Sequence, residues 1–335
     1  MSEPIRIAMI GAGVFARDAH IPALVALQDR YQVVALASRT LESAQARLDL
    51  FPYPVEATND IPGLLARDDI EAINVLLPIH VQAPILAQAL RSGKHVISEK
   101  PIAPTVADGK ALIEQHTSGS LWMVGENFRY QAAFMRAAEM LADGVIGRPV
   151  LANWTMYSPL NPGDTYYDTP WRRSGDFPGG YLMDGGVHWV AAFRLILGEI
   201  SRVNAFATLS RDDVPPVNTL VANFTFDSGC IGNYSAIFGA APGANYSTGL
   251  TISGSEGLMQ VGFDQVTVTR GDETRTIKVS GVRNVQAELA AFADSIRNGA
   301  VHRGTPQQGL QDVAVVEALL QSADSGQSVD VERFA

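Results

Sequence analysis

The first third of the chain alternates short apolar runs with segments of helical periodicity. Apolar runs that predict strands occupy residues 5–10, 31–37, 72–77 and 95–97. Helical patterns lie between some of these runs, at residues 41–48 and 83–92. Strands that alternate with helices usually pair in parallel, so this region predicts an α/β fold with a doubly wound parallel sheet.

The pattern changes after about residue 150, where predicted strands follow one another directly. These strands cover residues 149–157, 203–209, 219–226, 230–237 and 265–270. Residues 226–230 fit a hairpin turn, and residues 285–325 predict two amphipathic helices. Because consecutive strands favour an antiparallel sheet, we divide the chain into one domain of residues 1–125 and an α+β domain of residues 126–335.

The composition is typical of a globular enzyme. The chain has 335 residues, of which 47% are hydrophobic and 18% charged, enough for two modest domains. A net charge of -10 argues against a nucleic-acid partner, and no apolar run approaches the roughly 20 residues of a membrane helix. The single cysteine, Cys230, cannot form an internal disulfide, so we expect a reducing, cytoplasmic location.

A glycine-rich motif directly follows the first predicted strand and opens a helix. It reads Gly11-Ala12-Gly13-Val14-Phe15-Ala16. Gly11 permits a tight turn, Gly13 lets a pyrophosphate approach the backbone, and Ala16 is small enough for the helix to pack on the strand. The phosphates would bind unpaired N–H groups at the helix start. This context predicts a Rossmann site for a nicotinamide dinucleotide.

The residues after the second strand bear on the choice of cofactor. An acidic residue that would bind the adenosine ribose is absent there, and the sequence reads Ser38-Arg39-Thr40. Ser38 and Thr40 can donate hydrogen bonds to a 2′-phosphate, and Arg39 can pair with it. We therefore predict NADP as the preferred cofactor, with NAD possible. The alternative is that Arg39 is a solvated loop residue.

Lys100 is the first candidate for the chemistry. It stands just past a predicted strand, where ligands bind in open parallel sheets, and Pro101 restricts its backbone to an extended conformation. A lysine near a nicotinamide can exchange a proton with the substrate oxygen and stabilise a developing alkoxide. The alternative is a surface lysine, so the assignment depends on the residues that accompany it.

Asp184 and His188 are further catalytic candidates. If one helix begins near Asp184, both side chains project from one face and the carboxylate orients the imidazole. The alternative is a structural histidine. We expect no metal, because no cysteine or second histidine lies at ligand spacing. The preceding loop, residues 158–180, offers substrate-binding side chains, with loop packing as their alternative role: Tyr166, Tyr167, Trp171 and Arg172.

Together these segments resemble the glucose-fructose oxidoreductase and inositol dehydrogenase family, the Gfo/Idh/MocA group, over almost the whole chain. The resemblance rests on the glycine motif, on Gly93-Lys94-His95-Val96 with Glu99-Lys100-Pro101, and on Asp184-Gly185-Gly186-Val187-His188. It implies a Rossmann domain and a second domain with a large open-faced, mostly antiparallel sheet. That second domain would bind a carbohydrate-like substrate and form a homodimer or homotetramer. Within the group, the chain looks most like an NADP-linked branch.

The resemblance also implies roles for individual residues. Lys100 would be the acid or base, Asp184 and His188 would lie in the substrate pocket, and Glu99 would lie near the nicotinamide ribose. Further cofactor candidates are Leu77, Pro78, Ile79, Gln82, Pro101 and Asn127. Arg129 is a substrate candidate, and strand-end packing is the alternative for Asn127 and Arg129. Two positions depart from the family pattern, since Gln82 replaces a common histidine and Ala191 a common aspartate.

We therefore predict an NADP(H)-dependent oxidoreductase that transfers a hydride between nicotinamide and a carbonyl or secondary alcohol of a sugar, polyol or related small molecule. Lys100 and His188 would handle the proton. Two alternatives keep the fold: an NAD-dependent enzyme of glycosidase type, and a non-catalytic protein that senses the dinucleotide.

Overall fold

The structure is a computed structural model, and it describes residues 3–241 and 249–335. The chain forms two compact units, Met1–Asn127 with Val282–Leu310, and Phe128–Gly281 with Gln311–Ala335. The predicted boundary at residue 125 lies close to the end of the first of these segments, whereas residues 282–310, which the prediction placed in the second domain, group with the first unit. This segment belongs to the first unit because its helix binds there: the Tyr31 hydroxyl donates to the Leu289 carbonyl at 2.6 Å.

A six-stranded sheet forms the centre of the first unit. Its strands are β1 Ile5–Ile10, β2 Tyr31–Ala37, β3 Glu56–Thr58, β4 Ala72–Val75, β5 His95–Glu99 and β6 Trp122–Gly125. They pair in the order β3-β2-β1-β4-β5-β6, and every pairing is parallel. The predicted doubly wound parallel sheet is therefore confirmed. Its strand order is that of the Rossmann fold.

The helices alternate with these strands and continue into the second unit. They are α1 Ile21–Ala26, α2 Leu41–Gln45, α3 Ile61–Leu65, α4 Ile79–Arg91, α5 Val106–Gln115, α6 Ala132–Ala142, α7 Gly180–Asp184, α8 Gly186–Leu197, α9 Asn284–Asn298 and α10 Pro306–Ser325. Side chains of Thr40, Asp60 and Thr105 cap three of them by accepting a backbone N–H. Across residues 3–241 and 249–335, no helix combines the length and apolar character needed to span a membrane.

A nine-stranded sheet dominates the second unit. Its strands are β7 Pro149–Pro159, β8 Ile200–Thr208, β9 Thr219–Phe226, β10 Ile231–Ala240, β11 Leu250–Gly254, β12 Leu258–Val261, β13 Gln265–Arg270, β14 Glu273–Lys278 and β15 Val329–Asp330. The order is β14-β13-β12-β11-β7-β10-β9-β8-β15, and β7 beside β10 is the parallel pair among the antiparallel ones. The mostly antiparallel sheet is confirmed.

Burial alternates along the strands of this sheet, so its two faces differ. In β9, Leu220 and Phe224 are buried while Val221 and Asn223 are exposed. Aromatic side chains of the buried face pack on α8, where the ring of Phe193 lies 5.3 Å from that of Phe224. The opposite face carries exposed side chains and is open.

Candidate active site

The glycine turn of the first unit has the shape that a dinucleotide requires. Gly11 has φ 119°, and a Cβ there would stand 2.1 Å from the Leu76 carbonyl oxygen, so only glycine fits. At Gly13 a Cβ would meet no described atom within 4 Å. A π-helical turn, Ala16–His20, follows directly and leads into α1. The backbone is thus open to a pyrophosphate at the carboxyl end of β1, and the residues present fit the cofactor.

The segment after β2 carries the groups predicted to select the cofactor. Ser38 is half-buried and Arg39 is exposed. The Thr40 hydroxyl accepts the Ser43 backbone N–H at 3.3 Å and caps α2, a structural role that the prediction did not include. Arg47, which the sequence reasoning missed, donates from Nε to the carbonyl oxygen of Ala12 at 3.1 Å. The guanidinium of Arg47 therefore lies at the glycine turn.

Lys100 follows β5, and the Lys100–Pro101 peptide bond is cis. The side-chain amide nitrogen of Gln82 donates to the carbonyl oxygens of Glu99, at 3.0 Å, and Pro101, at 3.2 Å. Gln82 lies on α4, which begins at Ile79, earlier than the predicted residue 83. In this segment Leu77 and Pro78 are half-buried and Ile79 is buried.

A buried polar chain that the sequence reasoning missed leads to Glu99. His20 is 1% exposed, and its Nε2 lies 3.1 Å from Oε1 of Glu99. Its Nδ1 lies 3.0 Å from the amide nitrogen of Asn74, which is fully buried in β4. Since that amide donates to Nδ1, the Nε2–H donates to the Glu99 carboxylate. Asn74 inside an otherwise apolar strand was the signal in the sequence that could have revealed this chain.

Two predicted cofactor residues hold buried acceptors. Oε1 of Gln82 and Oδ1 of Asn127 accept no hydrogen bond from the described residues, although the two side chains are 2% and 9% exposed. Buried amide oxygens normally have a donor. These oxygens therefore fit a ligand that supplies N–H or O–H groups, as the cofactor does.

Asp184 and His188 lie on two helices rather than one. Asp184 ends α7, Gly185 intervenes, and α8 starts at Gly186. The prediction of a single helix starting near Asp184 is thus corrected. Gly185 permits close packing, because a Cβ there would stand 2.7 Å from the ring of Phe238. The Asp184 carboxylate accepts a hydrogen bond from Nε of Arg172 at 2.8 Å.

His188 lines an open cleft in the second unit. Its ring stacks on Phe128 with 4.6 Å between centroids. The cleft has a volume of about 310 Å³, and Trp154, Tyr157 and Phe238 line it together with His188. Apolar walls with a few polar groups are typical of sites for small molecules.

Three of the four loop candidates, Tyr166, Trp171 and Arg172, lie together in one cluster. The Arg172 guanidinium lies 4.2 Å from the centre of the Trp171 ring and 4.9 Å from that of Tyr166, which is 40% exposed. Tyr167 is buried instead, and its hydroxyl donates to Asp213 at 2.6 Å. This hydrogen bond to a carboxylate raises the pKa of Tyr167. Tyr167 therefore holds the loop in place, which fits loop packing, the alternative role given for it above.

Arg129 is enclosed in an ion cluster of the second unit. It is 4% exposed and pairs with Asp312, which is 1% exposed and also pairs with Arg194. The contacts of Arg129 fit the packing alternative better than a substrate role. Within the described part of the chain, no group of three or more His, Cys, Asp or Glu side chains is arranged to hold a metal ion.

The strand order and the glycine turn define the class of protein, a Rossmann enzyme that binds a nicotinamide dinucleotide. Residues 5–125 match the family model for oxidoreductases with an NAD-binding Rossmann fold, and residues 134–260 match the model of a Gfo/Idh/MocA C-terminal domain. The chain belongs to the Gfo/Idh/MocA family of oxidoreductases, which confirms the resemblance.

Relatives of the chain include dehydrogenases that it matches over almost their whole length. It is 31% identical to a dehydrogenase of Fusarium mangiferae, covering 98% of this chain and 99% of that protein. It is 26% identical to an NADP-dependent D-xylose 1-dehydrogenase of Haloferax volcanii, covering 93% and 95%. Among solved structures, an oxidoreductase of Thermotoga maritima aligns with a TM-score of 0.90 at 32% identity, covering 98% of each chain.

Proposed function

We propose that this protein is an NADP(H)-dependent dehydrogenase that transfers a hydride between nicotinamide and a carbonyl or secondary-alcohol carbon of a sugar or polyol. The observation that carries this proposal is the placement of Lys100 and the glycine turn within the first unit. They follow β5 and β1, and because all strands of that sheet are parallel, both stand at its carboxyl edge. Ligands of open α/β sheets bind at this edge.

The preference for NADP is supported by charge. Ser38-Arg39-Thr40 places no carboxylate after β2 that would repel a 2′-phosphate, and Arg39 is exposed there. Arg47 adds a guanidinium group of its own, which lies close to Ala12. Guanidinium groups bind phosphate through charge-assisted hydrogen bonds, and a carboxylate would favour NAD. NAD is the alternative cofactor.

Lys100 is the proposed proton-transfer residue. The bound nicotinamide supplies or accepts the hydride at the substrate carbon. In the reducing direction the carbonyl π bond breaks, and the substrate oxygen takes a proton from the Lys100 ammonium. In the oxidising direction the alcohol proton passes to the neutral amine of Lys100 as the C=O bond forms. The positive charge of Lys100 also stabilises the alkoxide. We assign His188 a share in handling this proton.

Substrate recognition is assigned to the second unit. Tyr166 and Trp171 flank Arg172 and offer aromatic surfaces on which a sugar ring can stack. The Asp184 carboxylate, which Arg172 holds, accepts hydrogen bonds from sugar hydroxyls. A carbohydrate is favoured because aromatic faces and polar groups occur together here. The xylose-oxidising relative supports the same substrate class.

We further propose a homo-oligomer in which a second copy covers the open face of the nine-stranded sheet. The asparagine row on this face consists of Asn204, Asn223, Asn233 and Asn153, which lie side by side on four adjacent strands. Apolar side chains flank it on both sides: Phe206 and Val221, and Ile231 and Leu151. Phe206 is 71% exposed and Ile231 is 53% exposed. Amides both donate and accept, so the row can pair with itself across a two-fold axis.

The single cysteine supports a cytoplasmic location.

Fluorescence titration with NADPH and NADH, followed by a panel of aldoses, ketoses and polyols, tests the proposal. We expect tighter binding of NADPH and turnover that depends on the sugar. Lys100→Met should keep the Kd for NADPH and lose most of the turnover, whereas Lys278→Met, on exposed β14, should change neither. Arg39→Ala should weaken NADPH binding more than NADH binding.

Three results would contradict this proposal. Unchanged kcat in Lys100→Met would remove Lys100 from the chemistry. Tight cofactor binding without turnover would favour the glycosidase or sensor alternative. Binding of neither cofactor would overturn the assignment of the site.

A further inference from the structure

Gln82 holds the backbone on both sides of Lys100. Its amide nitrogen donates to the carbonyl oxygens of Glu99 at 3.0 Å and Pro101 at 3.2 Å. Both partners are acceptors, so the orientation of the amide is determined and both of its N–H groups are used. The side chain is 2% exposed, where each hydrogen bond is sheltered from water.

The support behind Gln82 is rigid. Gln82 lies in the first turn of α4, a helix of 13 residues. Ile79 and Leu86 of the same helix are buried, at 4% and 0% exposure, and fix it in the first unit. Gln82 therefore reaches the turn after β5 from a packed helix rather than from a loop, and such supports hold a site more accurately.

The side chain of Glu99 is held as well. The ring of His20 donates from Nε2 to its carboxylate at 3.1 Å, and Asn74 fixes the ring from the other side at 3.0 Å. The residue before Lys100 is thus held through its side chain by His20 and through its carbonyl by Gln82. Little freedom is left for the backbone at Lys100.

We propose that Gln82 is a positioning residue for Lys100, which keeps the amine of Lys100 at one place for proton transfer. This inference rests on the proposed role of Lys100 in that transfer. A shift of about 1 Å in a reacting group is enough to cost roughly 100-fold in rate. The histidine that the resemblance leads us to expect at this position has one N–H when neutral, whereas the glutamine amide has two on one nitrogen. Glutamine can therefore bind two carbonyls at once.

Kinetics of three variants test the inference. Gln82→Leu removes both donors, Gln82→Glu places a carboxylate against two carbonyl oxygens, and Gln82→His restores one donor. We expect kcat to fall about 10- to 100-fold in Gln82→Leu and Gln82→Glu and less in Gln82→His. The Kd for NADPH should rise by a smaller factor than kcat falls, because the loss of Oε1 removes one acceptor for the cofactor while the loss of the amide nitrogen releases the backbone at Lys100. Gln88→Leu is the matched control, since Gln88 donates to Pro84 on the exposed side of α4. It should leave kcat unchanged.

Chemical labelling gives a readout that does not depend on turnover. The chain has four lysines, Lys94, Lys100, Lys110 and Lys278, so amine labelling followed by peptide mass spectrometry measures each one separately. Gln82→Leu should change the labelling rate of Lys100 while the other three keep theirs. A general loss of structure would also raise the labelling rates of Lys94 and Lys110, which are half-buried. In that case Gln82→His tests the inference, because restoring one donor should bring the labelling rate of Lys100 back toward that of the parent.

The outcomes separate this inference from the proposed function. Parent-like kcat and Lys100 labelling in Gln82→Leu, with Lys100→Met inactive, would overturn the positioning role and leave the function standing. A large rise in the Kd for NADPH at unchanged kcat would also overturn it and make Gln82 a cofactor-binding residue. Full activity of Lys100→Met would remove Lys100 from the chemistry and this inference with it, whereas an absence of sugar-dependent turnover in the parent would overturn the proposed function itself.

Discussion

Replacing Asp312 with asparagine tests the role of Arg129 and the buried ion cluster. The carboxylate of Asp312 pairs with Arg129 and Arg194, and all three residues are at most 4% exposed. Asparagine keeps the shape but removes the negative charge, so two buried guanidiniums lose their shared partner. Breaking a buried ion pair costs about 3–5 kcal/mol.

The second partner of Arg194 places the expected loss of stability at the lower end of that range. Arg194 also pairs with Glu199 at 2.8 Å, so it keeps one carboxylate when Asp312 is replaced. We therefore expect the free energy of unfolding of the second unit to fall by about 3 kcal/mol. For a unit of this size, that corresponds to a decrease in Tm of about 6–12 °C.

Thermal unfolding of the parent and the variant, monitored by circular dichroism, measures this loss. Asp330→Asn is the matched control, because Asp330 pairs with Arg202 at the surface, where the side chains are 73% and 57% exposed. Asp330→Asn should lower the free energy of unfolding by at most about 1 kcal/mol. Equal decreases in Tm in Asp312→Asn and Asp330→Asn would refute the conclusion that the buried ion cluster stabilises the second unit. If Arg129→Met raised the KM for sugar without loss of stability, Arg129 would instead be a substrate residue.

Two further predictions concern pH and assembly. Arg211 and the Tyr167 hydroxyl hold the pKa of Asp213 at about 2, below its ordinary 3.8. The lowered pKa stabilises the fold fully above about pH 4, and this contribution is lost as the pH falls through about 2. Asp213→Asn should remove that part of the acid dependence of Tm, and an unchanged profile would contradict it. Phe206→Glu should shift the oligomer toward the monomer in light scattering, whereas Val301→Glu, at a 98% exposed position of the first unit, should not. An oligomer that persists in Phe206→Glu would refute the sheet-face assembly.

The local features of this fold could be predicted from the sequence alone. The strands at residues 5–10, 31–37, 219–226 and 265–270 have the predicted bounds. Their apolar periodicity and the turn residues beside them act over a few positions, so the sequence contains the whole signal. The glycine turn was predictable for the same reason, since the positive φ of Gly11 is a local backbone feature that favours glycine.

The partners of the polar side chains were decided only by the tertiary structure. His20, Asn74 and Glu99 lie far apart in the sequence and form one hydrogen-bonded chain, in which His20 and Asn74 are buried. In the same way, residues 282–310 join the first unit, Asp184 pairs with Arg172, and Arg129 pairs with Asp312. Periodicity shows which side chains are buried but not what they meet, because long-range packing of distant segments selects each partner.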